Sequence, residues 1–134
     1  MNNYTNAIPC KVVLLGESGV GKTSIISRYV NNMFHSNFVP TMGSCYATKT
    51  VSFPEAEKNL KFEVKILLKK IWDTAGQEKY RSIIKIFYKD ANVAILVYDI
   101  SRRESFEEVK NYWYQQVIDN APKKTSKKCL NFFI

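Results

Sequence analysis

Gly16-Glu17-Ser18-Gly19-Val20-Gly21-Lys22-Thr23 is the stretch on which the reading of this chain turns. It meets the pattern G-x-x-x-x-G-K-[ST] at every fixed position. Before it runs Val12-Val13-Leu14-Leu15, a continuous apolar segment with the character of a strand buried on both faces. After it, Ile25, Ile26, Tyr29, Val30 and Met33 recur at helical spacing, which predicts a helix from Lys22 to about Met33. Glycines allow a loop of this kind to curl, so that successive N–H groups point inward at phosphate oxygens. Lys22 places a cation among the outer phosphates, and the Thr23 hydroxyl can ligate Mg²⁺. The helix beginning there adds its positive dipole end. Glycine-rich turns alone are common; the strand before and the helix after make this one a cradle for a nucleoside triphosphate.

Outward from that stretch, Asn31-Asn32, Ser36-Asn37 and Pro40 end the helix in a loop. Residues 44–53 and 60–72 are rich in β-branched and aromatic types, with Pro54 and Asn59 bracketing a turn, and read as a hairpin. Tyr80, Ile83, Ile84 and Phe87 form a second helical stripe. Val93 to Tyr98 reads as another buried strand, ending in Asp99. Ser101 is the expected N-cap of a helix carrying Phe106, Val109, Trp113 and Val117. Cys129 to Ile134 is apolar and β-prone. Buried strands alternating with amphipathic helices predict an α/β fold, a P-loop NTPase three-layer sandwich with a mostly parallel sheet and one antiparallel hairpin strand. Ligands in such sheets sit at the carboxyl ends of strands, so the loops after Leu15, Trp72 and Asp99 are the candidate site.

With 134 residues, 46% of them hydrophobic, the chain has one domain's worth of core and no linker dividing it. Twenty Lys+Arg against twelve Asp+Glu leave a net charge of +8, which opens the question of a polyanionic partner. Cys10, Cys45 and Cys129 lack C-x-x-C spacing and nearby histidines, which argues against a disulfide scaffold or zinc site and for a reducing, cytoplasmic setting. No apolar run is long enough to cross a bilayer. Lys58, Lys61, Lys65, Lys69 and Lys70 crowd the hairpin, and Lys123, Lys124, Lys127 and Lys128 the segment before the last strand. These are solvated faces, or surfaces suited to an anionic membrane or acidic partner. No aromatic-interleaved basic stripe accompanies them, so nucleic acid is not an expected partner.

Ile71-Trp72-Asp73-Thr74-Ala75-Gly76-Gln77-Glu78 closes the hairpin. An aspartate there can hold Mg²⁺ through water, Gly76 can offer an N–H to a terminal phosphate, and Gln77 can orient an attacking water. Alone this is an ordinary turn; beside a phosphate loop it is not. On these residues the chain resembles the Ras superfamily of small GTPases, and its Rab branch. Trp72–Glu78 is similar to the WDTAGQE form of Rab proteins, Phe87–Ala91 to YYRGA, and Leu96–Ser101 to LVYDIT. Thr41, eighteen residues after Thr23, stands where the family has its first-switch threonine. The resemblance implies GTP/GDP and Mg²⁺ as cofactors. It implies nucleotide contacts from Ser18, Gly19, Val20, Gly21, Lys22, Thr23, Ser24, Phe34, Thr41 and Gly76, and metal ligation through Thr23, Thr41 and Asp73. Gln77 and Lys22 would be the catalytic pair of a slow GTPase serving vesicle trafficking. Tyr46, Trp72 and Phe87, with the switch loops, would meet effector, exchange-factor and GAP proteins. The same aromatics serve equally as core packing, and both readings stay open at this point.

Three departures from the family are visible. Met42-Gly43-Ser44-Cys45-Tyr46 replaces the usual Ile-Gly-x-x-Phe. The hairpin's second arm is longer than the family's: Leu60, Phe62, Val64, Ile66 and Leu68 alternate cleanly, but Ile71 has the opposite parity, which predicts a bulge or inserted loop before it. The family's base-reading N-K-x-D and S-A-K segments do not occur in residues 1–134, so the chain is expected to be a single G domain ending within its fifth strand. Cys129 is not in a C-a-a-X end, so a peripheral membrane position on the cytosolic face of endomembranes would depend on prenylation of a longer chain. The rival readings are a P-loop ATPase or kinase of another family, and a non-catalytic interaction fragment without a guanine pocket.

Overall fold

The computed structural model describes residues 6–36, 45–66 and 86–123. Among them, four strands form one sheet in the order β2-β3-β1-β4. They are β1 (Ile8–Leu15), β2 (Cys45–Phe53), β3 (Lys58–Ile66) and β4 (Val93–Leu96). β1 runs parallel to both neighbours, with Val12 opposite Val64 on one side and Val93 on the other. β2 is antiparallel to β3, from Cys45 opposite Ile66 to Phe53 opposite Lys58. The sheet is therefore mostly parallel with one antiparallel strand, as the sequence pattern predicts.

The apolar run of β1 is explained by what covers it. Val12 and Leu14 join Val20, Ile26, Val64, Ile66 and Val97 in one core, beneath α1 (Lys22–Asn31). Val13 and Leu15 point the other way, into a second core with Tyr88, Ala94, Leu96, Val109, Trp113 and Val117. That core lies under a continuous helical rod made of α2 (Arg103–Glu108), a π-helical stretch (Val109–Trp113) and α3 (Tyr114–Asn120). A strand sandwiched between helical layers has no solvent face, so hydrophobic residues need not alternate with polar ones. Among the described residues Trp113, 1% exposed, is the largest side chain fully enclosed.

Several boundaries differ from the sequence reading. α1 ends at Asn31, and Asn32 adopts the left-handed conformation (φ 54°) that stops it, so Met33 falls beyond the helix and is exposed. The hairpin turn is tighter than the Pro54–Asn59 bracket. Pro54 opens a 3₁₀ turn, Glu57 closes it at φ 50° with its N–H on Pro54 O (3.1 Å), and β3 resumes at Lys58. β4 ends at Leu96 instead of Tyr98, although the Val97 N–H still donates to Leu15 O at 2.8 Å. Ser101 does not cap the following helix. The extended Arg102 occupies that position, because Ser101 is drawn back onto Asp99 through its N–H (2.9 Å) and hydroxyl (2.6 Å). Phe106 is accordingly half-exposed, resting edge-on against Tyr98.

Residues 86–88 are helical, the end of the stripe expected from Tyr80. The rest of that stripe, the bulge expected before Ile71 and the strand expected at Cys129–Ile134 lie outside the described residues. Among the described residues, no helix is long and apolar enough to cross a membrane.

Candidate functional site

Leu15 and Leu96 are paired at the carboxyl ends of two parallel strands, so the loops leaving them start side by side. The first is the glycine-rich loop. Gly16 has φ +151°, and a Cβ there would collide with the backbone carbonyl of Val97. Only glycine lets the chain turn out of β1 so close beneath β4. At the far end Gly21 caps α1 with φ +97°, and its carbonyl accepts the Ile25 N–H at 2.9 Å. Between them Val20 sinks its side chain into the core under α1 and is 6% exposed. The sequence reading places Val20 among nucleotide contacts; its side chain is instead the loop's inner anchor, which leaves only its backbone for such a contact. Ser18 and Gly19 form the exposed outer turn.

Lys22 opens α1 and is 4% exposed, an extreme degree of burial for a cation. Its Nζ donates to Gly16 O at 2.9 Å and Glu17 O at 2.5 Å, so the ammonium lies on the loop's own carbonyls. Burial pushes its pKa down from 10.5 to about 8; the nearby Glu17 carboxylate works against that shift, and Arg102 adds to it. Thr23 is exposed in the first helical turn and Ser24 half-buried beside it. That turn carries no acidic side chain, which leaves the positive end of the helix open to an anion.

The second loop contributes what sequence reasoning missed. Asp99 Oδ1 accepts both the N–H and the hydroxyl of Ser101, and these bonds, with Arg102 beside them, hold its carboxyl below the usual range. Arg102 then reaches across to the phosphate loop. Its Nη2 donates to Ser18 O at 3.1 Å and lies 3.7 Å from Glu17 Oε2, while Nε lies 3.5 Å from Asp99 Oδ2. The only sequence signal for this was the expectation that the loops after Leu15 and Asp99 share one end of the sheet.

The remaining expected residues are scattered or undescribed. Phe34 is 61% exposed beyond the end of α1, with the Arg28 guanidinium 5.9 Å from its ring centroid. Tyr46, at the start of β2, is exposed beneath Lys65, and Phe87 is half-buried edge-on to Tyr88. Thr41, Trp72, Asp73, Gly76 and Gln77 lie outside the described residues. Among those described, no three His, Cys, Asp or Glu side chains gather to hold a metal ion.

A buried lysine at a helix start, a glycine loop shaped by two parallel strands, and hydroxyls at the helix mouth make an arrangement that can accept phosphate oxygens. The Ras family model matches residues 11–130. Mouse Ras-related protein Rab-22A is 42% identical over 113 residues, covering 84% of this chain and 53% of its own. Ras-related protein RABG3e of Arabidopsis thaliana is 39% identical over 112 residues, covering 84% of this chain and 50% of its own. Ras-related protein Rab7 of Cenchrus ciliaris is 38% identical over 112 residues, with the same coverage. The chain thus spans about half the length of the curated relatives it matches. The chain belongs to the Ras family, in its Rab branch.

Proposed function

We propose that residues 1–134 belong to one G domain that binds GTP and GDP and hydrolyses GTP slowly, as a switch in vesicle trafficking at the cytosolic face of endomembranes. The observation that carries the reading is Lys22: a cation this deeply buried at a helix start, on a loop of this shape, has an anionic partner as its physical rationale. The loop from Gly16 to Thr23, with Ser24, takes the phosphates through backbone N–H groups and Lys22, and Phe34 packs near the base. The donor set Thr23, Thr41 and Asp73 is made of hard oxygens and suits Mg²⁺, which when bound neutralises phosphate charge. Gln77 orients the attacking water, Lys22 stabilises charge on the leaving phosphate, and Thr41 and Gly76 report the terminal phosphate to the switch loops. Effectors, exchange factors and GAP proteins meet Tyr46, Trp72, Phe87 and those loops, and a prenylated longer chain would add a peripheral membrane position.

Chromatography of nucleotide released from the purified chain tests the first step: GDP or GTP supports the reading, ATP replaces it with an ATPase, and no nucleotide from a folded chain leaves a non-catalytic interaction module. Gln77→Leu should slow single-turnover GTP hydrolysis at least roughly tenfold while nucleotide affinity stays within about threefold. Hydrolysis at the wild-type rate would remove Gln77 from its role.

A further inference from the structure

The outer turn of the phosphate loop raises a question that the loop itself does not answer. Ser18 and Gly19 are exposed, and Gly19, at φ +79°, sits in a conformation that glycine adopts without steric cost and that no side chain packs in place. Val20 anchors the inner side only. Unless something holds the outer side, ordering it would fall on ligand binding and weaken it. Arg102 is placed to hold it. Its Nη2 meets Ser18 O, 84 residues away in sequence, and the Glu17 carboxylate, while Nε faces Asp99. The arginine starts from a firm base: its N–H donates to Asp99 O (3.0 Å), and its own carbonyl accepts both the N–H (3.0 Å) and the hydroxyl (2.7 Å) of the fully buried Ser105. A lone exposed ion pair would do little. A planar guanidinium that hydrogen-bonds a backbone carbonyl while standing at ion-pair distance from the Glu17 and Asp99 carboxylates is a geometric device that lysine cannot fully reproduce.

We propose that Arg102 is a positioning residue for the phosphate loop, a clamp that ties Ser18 and Glu17 to Asp99 in the loop after β4 and lengthens the residence of a bound nucleotide. The residence half rests on the guanine-nucleotide reading above; the clamp half does not.

The full chain is compared as wild type, Arg102→Ala, Arg102→Lys and Arg102→Gln, by two measurements. Amide hydrogen exchange of the 16–21 peptide, with no nucleotide added, reads the clamp; dissociation of a fluorescent GDP analogue reads residence. Arg102→Ala should speed both by roughly threefold to tenfold, with Arg102→Lys recovering part of the difference. Exchange of the β3 peptide should not change, which a general loss of structure would not allow. Equal exchange at 16–21 in wild type and variants overturns the clamp, whatever the dissociation rates do. If the wild type retains no GDP analogue but exchange still separates the variants, the clamp stands and the guanine reading falls. Should Arg102→Ala not fold, Arg102→Lys and Arg102→Gln carry the comparison, and exchange equal to wild type in both overturns it.

Discussion

At the carboxyl end of β1, polar and charged groups sit against backbone. Lys22 is buried on two carbonyls, Gly16 lies under the Val97 carbonyl, and Arg102 crosses to Ser18 O. Along the β2–β3 hairpin the charged groups lie on the surface instead. Lys49 rests 4.5 Å from the centroid of the Tyr29 ring, Lys65 lies 5.9 Å from that of Tyr46, and Lys61 pairs with Glu63 at 3.7 Å. Both regions carry cationic side chains, yet the net charge of +8 says nothing of the difference. Where a cation is stripped of water it must be held by specific partners and its surroundings tolerate little change. Where it stays hydrated, each contact is nearly dispensable.

The strongest challenge to this contrast is Gly16→Ala. A Cβ at φ +151° pressed into a backbone oxygen has no side chain to push aside, so a loss of roughly 4 kcal/mol or failure to fold is expected in chemical denaturation. A loss below about 1 kcal/mol would show that the loop yields to the added methyl group and is soft. Next is Lys22→Ala, which should weaken nucleotide binding by roughly a hundredfold or more in equilibrium titration, the value of a charge-assisted contact to phosphate.

A smaller effect is the pH dependence of stability set by Lys22. Its pKa is 10.5 unfolded and about 8 folded, so between those values the unfolded chain binds more protons. Folding stability should therefore gain a rising contribution as pH climbs from about 8 to about 10.5, and Lys22→Met should lack that rise in thermal melts at stepped pH. Identical slopes in the two proteins would mean the ammonium is not buried as a charge. Smallest is Lys49→Ala on the hairpin, expected to change stability by less than about 1 kcal/mol despite its bond to Tyr29 O at 2.6 Å. A larger loss would erase the contrast between the two regions.

Much of this fold was legible in the sequence because its signals are local. The apolar run of β1, the G-x-x-x-x-G-K-[ST] loop and the stripe of α1 each report their own backbone, and strand–loop–helix in that order implies the phosphate cradle. Alternation of Leu60, Phe62, Val64 and Ile66 with Lys61, Glu63 and Lys65 likewise announced β3, with the first set toward α1. The errors fall where two local signals compete. Ser101 has the composition of a helix cap, but Asp99, two residues earlier, offers its hydroxyl a carboxylate, and the helix starts later. Met33 continues the apolar spacing of α1, but Asn31-Asn32 supplies a residue able to adopt the left-handed turn that stops it.

By itself the sequence determined the family, the parallel α/β class and the phosphate loop, since each is written in residue types at fixed short spacing. Only the tertiary structure decided that Gly16 is required by the carbonyl of Val97, that Val20 serves the loop from within the core, and that Arg102 reaches Ser18. The first and last are contacts between residues some eighty positions apart, brought together by the pairing of Leu15 with Leu96. No periodicity along the chain encodes which strand will lie beside which, so such partners become visible only once the sheet is assembled.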